Sequence, residues 1–260
     1  MYDALLGGSH NFEVDRLAAA RATALVPDLP KVALSNRAFL RRAVRFLIDS
    51  GIRQFIDLGA GIPTVGSSHQ IAQQFAPESR VAYVDIDPVA VAHAEVILAD
   101  NPRAAAIQAD ARFPEALLAN ARLREVIDLD QPVGVLMVAV LHLFTDEDRP
   151  AAVVDSIRAA TAPGSYLVIS HLSSAKRPED AARLGNHSAG RTGVPIIFRS
   201  FAEIATLFDG LTMVEPGLVE LPMSTVRMLG QNLPCSGGGY FRLFPYAAFS
   251  IAVRRLNKAE

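Results

Sequence analysis

The chain has 260 residues, half of them hydrophobic, a formal net charge of −2 and a single cysteine, Cys235. This length fits one large α/β domain or two small ones, and the near-neutral charge without a Lys/Arg run argues against a nucleic-acid partner. The longest apolar run, residues 133–143, is far shorter than the roughly 20 residues of a membrane span, so we expect a soluble protein without membrane segments. A lone cysteine fits a reducing compartment, so we expect the protein to be cytoplasmic.

Apolar, β-branched runs alternate with helical patterns from residue 35 onward, which predicts βαβ units around a mostly parallel sheet with helices on both faces. The first core helix is predicted to begin at a cap, Ser35 or Asn36, and Asp87 and Asp146 are predicted to cap two later helices. The predicted helices cover residues 35–49, 67–75, 87–99, 146–160 and 201–208. The seven predicted strands cover residues 54–58, 80–84, 105–108, 133–140, 166–170, 211–214 and 247–253.

The remaining segments are assigned more coarsely. Residues 113–127 are helical or loop-like, residues 172–200 form a loop with some helix, and the last strand is expected to be antiparallel. We predict a single domain over residues 1–260, with an N-terminal arm or lid at 1–34 and a Rossmann-like core at 35–260.

Three features fall where such a sheet binds its ligand, beyond the carboxyl ends of the strands and where the strand order reverses. After strand one, Gly59-Ala60-Gly61 allows a tight turn and a close approach of the backbone to a ligand. After strand two, Asp85 can accept hydrogen bonds from both hydroxyls of a ribose. After strand three, Asp110 in Ala109-Asp110-Ala111 can accept from an adenine amino group.

Each feature alone has an ordinary structural interpretation. A Gly-x-Gly is usually only a tight turn, and an acid at a strand end is often a helix cap. Their succession at consecutive strand ends favours a nucleotide site. Thr64 occupies the third position of Gly-x-Gly-x-x-Gly, which weakens a nicotinamide assignment, whereas Asp57 before the glycines and Asp110 favour S-adenosyl-L-methionine.

The sequence also resembles the bacterial S-adenosyl methyltransferase family, formerly a domain of unknown function. The resemblance covers residues 2 to about 217 and implies S-adenosyl-L-methionine as cofactor, while the acceptors of the family are largely unassigned. The motifs that carry it are Tyr2–Phe12, Asn36–Val44, Gly51–Gly59, Tyr83–Pro88, Ala139–His142 and Gly164–His171. The resemblance implies cofactor contacts at six residues of these motifs, Tyr2, Gly7, Arg37, Asp57, Ile86 and Ala139. It implies a further contact at Ala111, beside Asp110.

The chain departs from the family pattern at two places. The family usually carries a further segment before the Tyr2 motif, so a trimmed lid is expected here. Residues 222–245 do not follow the family pattern, and their glycines and aromatic residues could form a variant flap.

The N-terminal motif and Arg37 have candidate roles of their own. Gly7 and Gly8 give flexibility, and Tyr2 and Phe12 can cover a ligand and exclude water, although the arm could simply pack on the domain. Arg37 could bind the cofactor carboxylate, or could belong to a solvated basic helix face.

Two histidines are candidates for the chemistry. His142 follows strand four in a Leu-His segment similar to that of small-molecule O-methyltransferases, and His171 ends strand five. Either could remove an acceptor proton, since an ordinary histidine pKa suits this role, or could be a structural hydrogen-bonding group. No metal-ligand spacing is present, and the Asn/Asp-Pro-Pro-aromatic motif of nucleic-acid methyltransferases is missing after strand four.

Three functions therefore compete. The leading hypothesis is methyl transfer to a small-molecule acceptor, with a hydroxyl favoured. The second is a catalytically silent module that binds S-adenosylmethionine or its demethylated product and regulates a partner. The third is a nicotinamide oxidoreductase, which Thr64 and the lack of a Tyr-x-x-x-Lys pair disfavour.

Overall fold

A computed structural model describes residues 1–64, 66–174, 178–192, 195–221 and 248–255. Eight strands form one sheet: β1 (Gln54–Leu58), β2 (Arg80–Asp85), β3 (Ala104–Gln108), β4 (Gly134–Val138), β5 (Tyr166–Ser173), β6 (Thr212–Met213), β7 (Val219–Glu220) and β8 (Ala248–Arg255). The predicted flap at 222–245 lies outside the described residues, as does Cys235.

Ten helices are described. They are α1 (Tyr2–Leu5), α2 (Glu13–Leu25), α3 (Leu29–Asp49), α4 (Ser68–Phe75), α5 (Pro88–Leu98), α6 (Pro114–Leu118), α7 (Ala121–Val126), α8 (Pro150–Ala160), α9 (Pro178–Thr192) and α10 (Phe201–Thr206). A short 3-10 turn, Leu141–Leu143, follows β4. None of these described helices is both long and apolar enough to cross a membrane.

The strand order is β3-β2-β1-β4-β5-β8-β6, and β7 also pairs with β8. Strands β1 to β5 are mutually parallel, whereas β8 is antiparallel to β5, which confirms the predicted mostly parallel sheet and its antiparallel last strand. The described sheet has eight strands rather than seven, because Val219–Glu220 forms a short additional strand. The order reverses between β1 and β4, which opens a crevice at their carboxyl ends.

Helices cover both faces of the sheet because successive side chains of a strand point to opposite sides. In β1, Ile56 and Leu58 belong to the core under α6, α7 and α8, whereas Phe55 belongs to the core under α3, α4 and α5. The parallel strands are thus buried on both sides, as expected for a doubly covered sheet.

Helix boundaries depart from prediction at two caps. Helix α3 begins at Leu29, with Pro30 in its first turn, so the predicted cap at Ser35 or Asn36 is wrong and Asn36 is a buried interior residue. Asp146 does not cap α8, since that helix begins at Pro150 after Arg149. Asp87 caps α5 as predicted, with its Oδ1 accepting from the Val89 amide at 2.9 Å.

Candidate functional site

The turn after β1 holds the two predicted glycines in left-handed conformations, with φ of 66° at Gly59 and 60° at Gly61. Glycine adopts such angles without steric cost. A Cβ on Gly59 would overlap the side chain of Val140, whereas a Cβ on Gly61 would meet no atom within 4 Å. Position 59 therefore requires a glycine because the turn after β1 packs against Val140 in the turn after β4, whereas Gly61 borders open space. Between them, the Ala60 amide donates to the Val84 carbonyl.

Asp85 connects this turn to the end of β2. Its Oδ2 accepts the Gly61 amide at 2.7 Å, and its Oδ1 accepts the Asp87 amide at 2.9 Å. Ile86, the next residue, is 54% exposed. The carboxylate is fixed at the crevice and each oxygen retains acceptor capacity, since a carboxylate oxygen can accept more than one hydrogen bond.

Asp110 lies after β3 and is engaged by Arg112. The Arg112 Nη2 donates to Asp110 Oδ2 at 2.7 Å, and Nε donates to Oδ1 at 3.0 Å. Although partial burial acts to raise it, the hydrogen bonds and charge of Arg112 hold the pKa of Asp110 below its usual range. Ala111 beside it is buried. An adenine amino group would therefore have to share Asp110 with Arg112.

Asp57 is buried beneath the glycine turn. Its Oδ2 accepts from the Ser68 hydroxyl at 2.6 Å, and Ser68 Oγ also lies 2.9 Å from the Tyr83 hydroxyl. Burial raises the pKa of Asp57 to about 6, although Ser68 and Arg37 act in the opposite direction. Asp57 thus joins β1, α4 and β2, and this network was not predicted from the sequence.

Arg37 and Asn36, neighbours on α3, each carry an unpaired buried polar atom. Arg37 donates from Nη1 to the Gly66 carbonyl at 3.2 Å, while Arg37 Nε and Asn36 Oδ1 are buried without a hydrogen-bond partner. An unsatisfied buried donor or acceptor costs about 1–3 kcal/mol, which a ligand can recover. One donor and one acceptor suit a carboxylate beside an ammonium, as at the amino-acid end of S-adenosylmethionine.

The first part of the N-terminal arm is fixed at two points, Tyr2 and Phe12. The Tyr2 hydroxyl donates to the Ala33 carbonyl at 3.0 Å and accepts from Asn36 Nδ2 at 2.9 Å. Farther along, the Phe12 ring packs against the ring of His93 on α5 at 76°, with centroids 5.5 Å apart. Gly7, with φ of 74°, lies in the turn between these contacts. The arm therefore runs from α3 to α5, the helices that flank the glycine turn and Asp85.

The turn after β4 carries Ala139 and His142. Ala139 has φ of 62°, which is unusual for a residue with a Cβ, and its amide donates to the Ser170 hydroxyl at 2.9 Å. His142 is buried with its ring centroid 5.9 Å from that of His171. Burial, with smaller effects of the neighbouring His171 and Arg199, lowers the pKa of His142 to about 3, so its imidazole is neutral at physiological pH.

His171 is fully buried, and both of its ring nitrogens are engaged. Its Nδ1 lies 2.8 Å from the Leu172 carbonyl and its Nε2 lies 2.9 Å from Nη1 of Arg199. Because the carbonyl and the guanidinium fix these roles, Nδ1 donates and Nε2 accepts. Burial lowers the pKa of His171 to about 4, an effect that Arg199 reinforces. This geometry disfavours His171 as a base.

The structure therefore gathers most of the predicted residues around the β1/β4 crevice. Asp85 is hydrogen-bonded to the glycine turn, and the Asp57 carboxyl lies within electrostatic range of Arg37 and Asp85. Asp110 and His142 follow β3 and β4, in the neighbouring turns. Sequence reasoning missed Asn36, Ser68 and Arg199. The only signal for Asn36 was its place beside Arg37 in the family motif; Arg199 carried none. The described residues contain no grouping of three metal-ligating side chains.

The strand order, the crevice at the switch point and the acid after β2 define a Rossmann-like methyltransferase fold. A family model described as S-adenosyl methyltransferase matches residues 1–226, and one described as a domain of unknown function matches residues 202–260. The chain belongs to the S-adenosyl methyltransferase family. It is thus an S-adenosylmethionine-dependent methyltransferase by family, with S-adenosyl-L-methionine as its cofactor.

Solved structures agree with this assignment. A protein from Thermobifida fusca YX described as a methyltransferase is 36% identical, with a TM-score of 0.87 over 98% of this chain and 93% of that chain. A DUF574 family protein from Streptomyces avermitilis MA-4680 is 35% identical, with a TM-score of 0.86 over 98% and 95%.

A more distant likeness extends to the fold alone. An O-methyltransferase family protein from Burkholderia thailandensis is 16% identical, with a TM-score of 0.51 over 89% of this chain and 61% of that chain. No curated protein is significantly similar to the chain.

Proposed function

We propose that this protein transfers the methyl group of S-adenosylmethionine to a small-molecule acceptor, with a hydroxyl favoured. The observation that carries the cofactor half of the proposal is the pair of unpaired buried atoms, Arg37 Nε and Asn36 Oδ1, on neighbouring residues of α3, where Arg37 also binds the Gly66 carbonyl. These atoms match the carboxylate and ammonium of the cofactor's amino-acid end in sign and in hydrogen-bonding role.

The other cofactor contacts follow from the crevice. Asp85 accepts from the ribose hydroxyls, Asp110 and Ala111 border the adenine, and exposed Ile86 supplies apolar surface to the base. Gly59, Ala60 and Ala139 keep the backbone close to the ligand, and Asp57 supports the turn from below. The bound cofactor supplies an activated methyl group on a sulfonium, so the chain itself has to bind, orient and exclude water.

The N-terminal arm is the proposed lid. Tyr2 closes over Asn36 and Arg37, Gly7 lets the chain turn, and Phe12 reaches α5. Within this proposal residues 1–34 cover a single catalytic domain. The cover excludes water from the methyl group.

His142 is the proposed acceptor-side residue. A pKa of about 3 keeps its imidazole neutral, which suits orientation of an acceptor hydroxyl by hydrogen bonding better than proton removal, because a general base works best with a pKa near the operating pH. An acceptor that is already acidic, such as a phenol, or already nucleophilic needs no stronger base.

A second candidate function has its own support. Both candidate bases, His142 and His171, have pKa values far below the physiological range. This favours, as the alternative, a catalytically silent module that binds S-adenosylmethionine or its demethylated product and regulates a partner.

Turnover decides between the two. We expect purified protein to bind S-adenosylmethionine but not NADH in a calorimeter. With methyl-labelled S-adenosylmethionine and the low-molecular-weight fraction of a cell extract, label should move to a small molecule as S-adenosylhomocysteine accumulates. Cofactor binding without label transfer across extracts from several growth conditions would favour the silent module, and label on protein or nucleic acid would overturn the small-molecule acceptor.

A further inference from the structure

A buried guanidinium, Arg199, lies behind the turn that carries His142. Arg199 is 5% exposed and follows α9 in the chain. Its Nη1 donates to the Leu141 carbonyl at 3.1 Å and to His171 Nε2 at 2.9 Å. Its Nη2 donates to the Phe144 carbonyl at 3.0 Å and to Asp146 Oδ1 at 2.8 Å. One side chain therefore joins both ends of the turn after β4 to β5.

The backbone around Arg199 reinforces this connection. The Ile197 amide donates to the His142 carbonyl at 2.7 Å, and the Arg199 amide donates to the Leu172 carbonyl at 3.3 Å. Ser174 in turn donates its amide to the Arg199 carbonyl at 3.1 Å. The segment thus lies against the carboxyl end of β5 and against the turn of His142 at the same time.

We propose that Arg199 is a positioning residue for the acceptor side of the site: it fixes the turn of His142 and binds the unprotonated Nε2 of His171, whose Nδ1 donates to the Leu172 carbonyl. The inference rests on the proposed function for the role of His142, whereas the positioning itself is independent of that role. In the Nδ1-protonated form His171 has no proton on Nε2, so it accepts from Arg199. Its neutral ring stands at 84° to the ring of His142.

The chemistry of the side chain explains why an arginine is needed. A guanidinium offers five donors in a planar fork and can reach acceptors on two sides, whereas an ammonium is a single point with three donors. Leu141 and Phe144 present carbonyls three residues apart, and His171 lies on another strand. A lysine at position 199 can retain the charge and contact Asp146, but it cannot serve all four acceptors.

The test compares Arg199→Met and Arg199→Lys with Arg149→Met as a control. Arg149 lines the same cavity of about 440 Å³ beside Arg199, and the structure describes no side-chain hydrogen bond for it. Three quantities are measured: amide hydrogen exchange in residues 141–146, the imidazole nitrogen NMR signals of His171, and the affinity for S-adenosylhomocysteine.

Both Arg199 variants should exchange the Leu143 and Phe144 amides at least about tenfold faster. The Nε2 signal of His171 should shift because that nitrogen loses its donor, while the Leu172 carbonyl keeps the proton on Nδ1. Affinity for S-adenosylhomocysteine should change less than about threefold. The control should match wild type in all three. If Arg199→Met does not fold, Arg199→Lys carries the test, since it retains the charge.

Wild-type exchange and an unchanged His171 signal in a folded Arg199 variant would overturn the positioning role. If an Arg199 variant lost as much cofactor affinity as its amide exchange increased, the role of Arg199 would not be restricted to the acceptor side of the site. Failure of wild-type protein to transfer a methyl group would instead count against the proposed function, and would leave these exchange measurements valid.

Discussion

The backbone amide of Gly61 donates to Oδ2 of Asp85 over 2.7 Å, and this hydrogen bond joins the turn after β1 to the end of β2. This hydrogen bond therefore arranges the glycine turn and the acid relative to each other. A ribose that binds Asp85 meets a carboxylate that is already oriented, so little ordering remains to oppose binding.

Asp85→Ala should weaken binding of S-adenosylhomocysteine by roughly 2–4 kcal/mol, because two ribose donors lose a charged acceptor and the turn loses its anchor. Asp87→Ala is the matched control two residues on. It should cost about 1 kcal/mol of folding stability through loss of the α5 cap, with affinity unchanged. Calorimetric titration and thermal unfolding give both numbers, and equal affinity in Asp85→Ala and wild type would refute the ribose assignment.

Substitution of the two glycines should have different consequences. Gly59→Val should lower the unfolding temperature markedly, because its Cβ would overlap Val140 and its φ is left-handed. Gly61→Val carries only the conformational cost of about 1–2 kcal/mol but places a side chain in the open space of the crevice. Its unfolding temperature should therefore no longer rise with S-adenosylmethionine. A normal ligand-induced rise in Gly61→Val would mean that the cofactor lies elsewhere.

Arg37→Met should reduce cofactor affinity about tenfold to a hundredfold, since a charge-assisted hydrogen bond to a carboxylate contributes about 1.5–3 kcal/mol. Arg41 provides the control on the same helix, where it contacts Gln74 and the Phe75 ring instead. Arg41→Met should bind the cofactor as wild type does. Comparable losses in the two variants would indicate a general effect of positive charge on α3 and not a specific carboxylate contact.

His142→Gln should leave cofactor affinity nearly intact and slow methyl transfer, by about 10²–10⁴-fold if the imidazole takes a proton in the rate-limiting step and by less if it only orients the acceptor. The wild-type rate should lack a titration step near pH 6.5, because burial lowers the pKa of His142 to about 3. His171→Gln should act chiefly on stability, since it removes an acceptor of buried Arg199. A selective loss of transfer in His171→Gln would assign the base to β5.

Two buried histidines, His142 and His171, and the buried Asp57 should change the free energy of unfolding with pH in opposite directions. The histidines have folded pKa values lowered to about 3 and about 4, so the unfolded chain binds more protons below pH 6.5 and stability is lost as pH falls towards 4. Asp57 has a folded pKa raised to about 6, so it lowers stability as pH rises from near 4 to 6.

At pH 5 these three groups together should give an uptake of about one proton on unfolding, or about 1.4 kcal/mol per pH unit. Asp57→Asn keeps an acceptor for Ser68 but removes the titration, so the uptake should rise to about two protons. Denaturant unfolding between pH 4.5 and 6 measures the slope. An unchanged slope in Asp57→Asn would show that the pKa of Asp57 is not raised in the folded chain.

Much of the fold followed from local sequence. Strand β1 is found at Gln54–Leu58 as predicted, because a buried apolar run between Gly51 and a glycine turn leaves little freedom in its limits. The cap at Asp87 followed equally well, since Pro88 marks the first helical position. The glycine turn and Asp85 lie together for a topological reason, because both terminate adjacent parallel strands.

Other features depend on contacts across the chain and could not be read from local patterns. Asn36 has the side chain of a cap, but the Tyr2 hydroxyl, 34 residues away, makes it a buried partner within α3. Asp146 was predicted as a cap for the same reason and instead pairs with Arg199, 53 residues on. Arg199 stands in a polar segment without periodicity, and only the folded chain gives it four acceptors.

The position of β8 governs the order in which the sheet can be completed. All eight of its residues pair with β5, and on its other side it pairs with β6 and β7. A ribosome delivers the chain from its amino terminus, so β5 is made before β8, and until β8 follows the edge of β5 exposes unpaired N–H and C=O groups. In that state β1 to β5 can pair with one another without β8, and the sheet closes only once synthesis has passed residue 255.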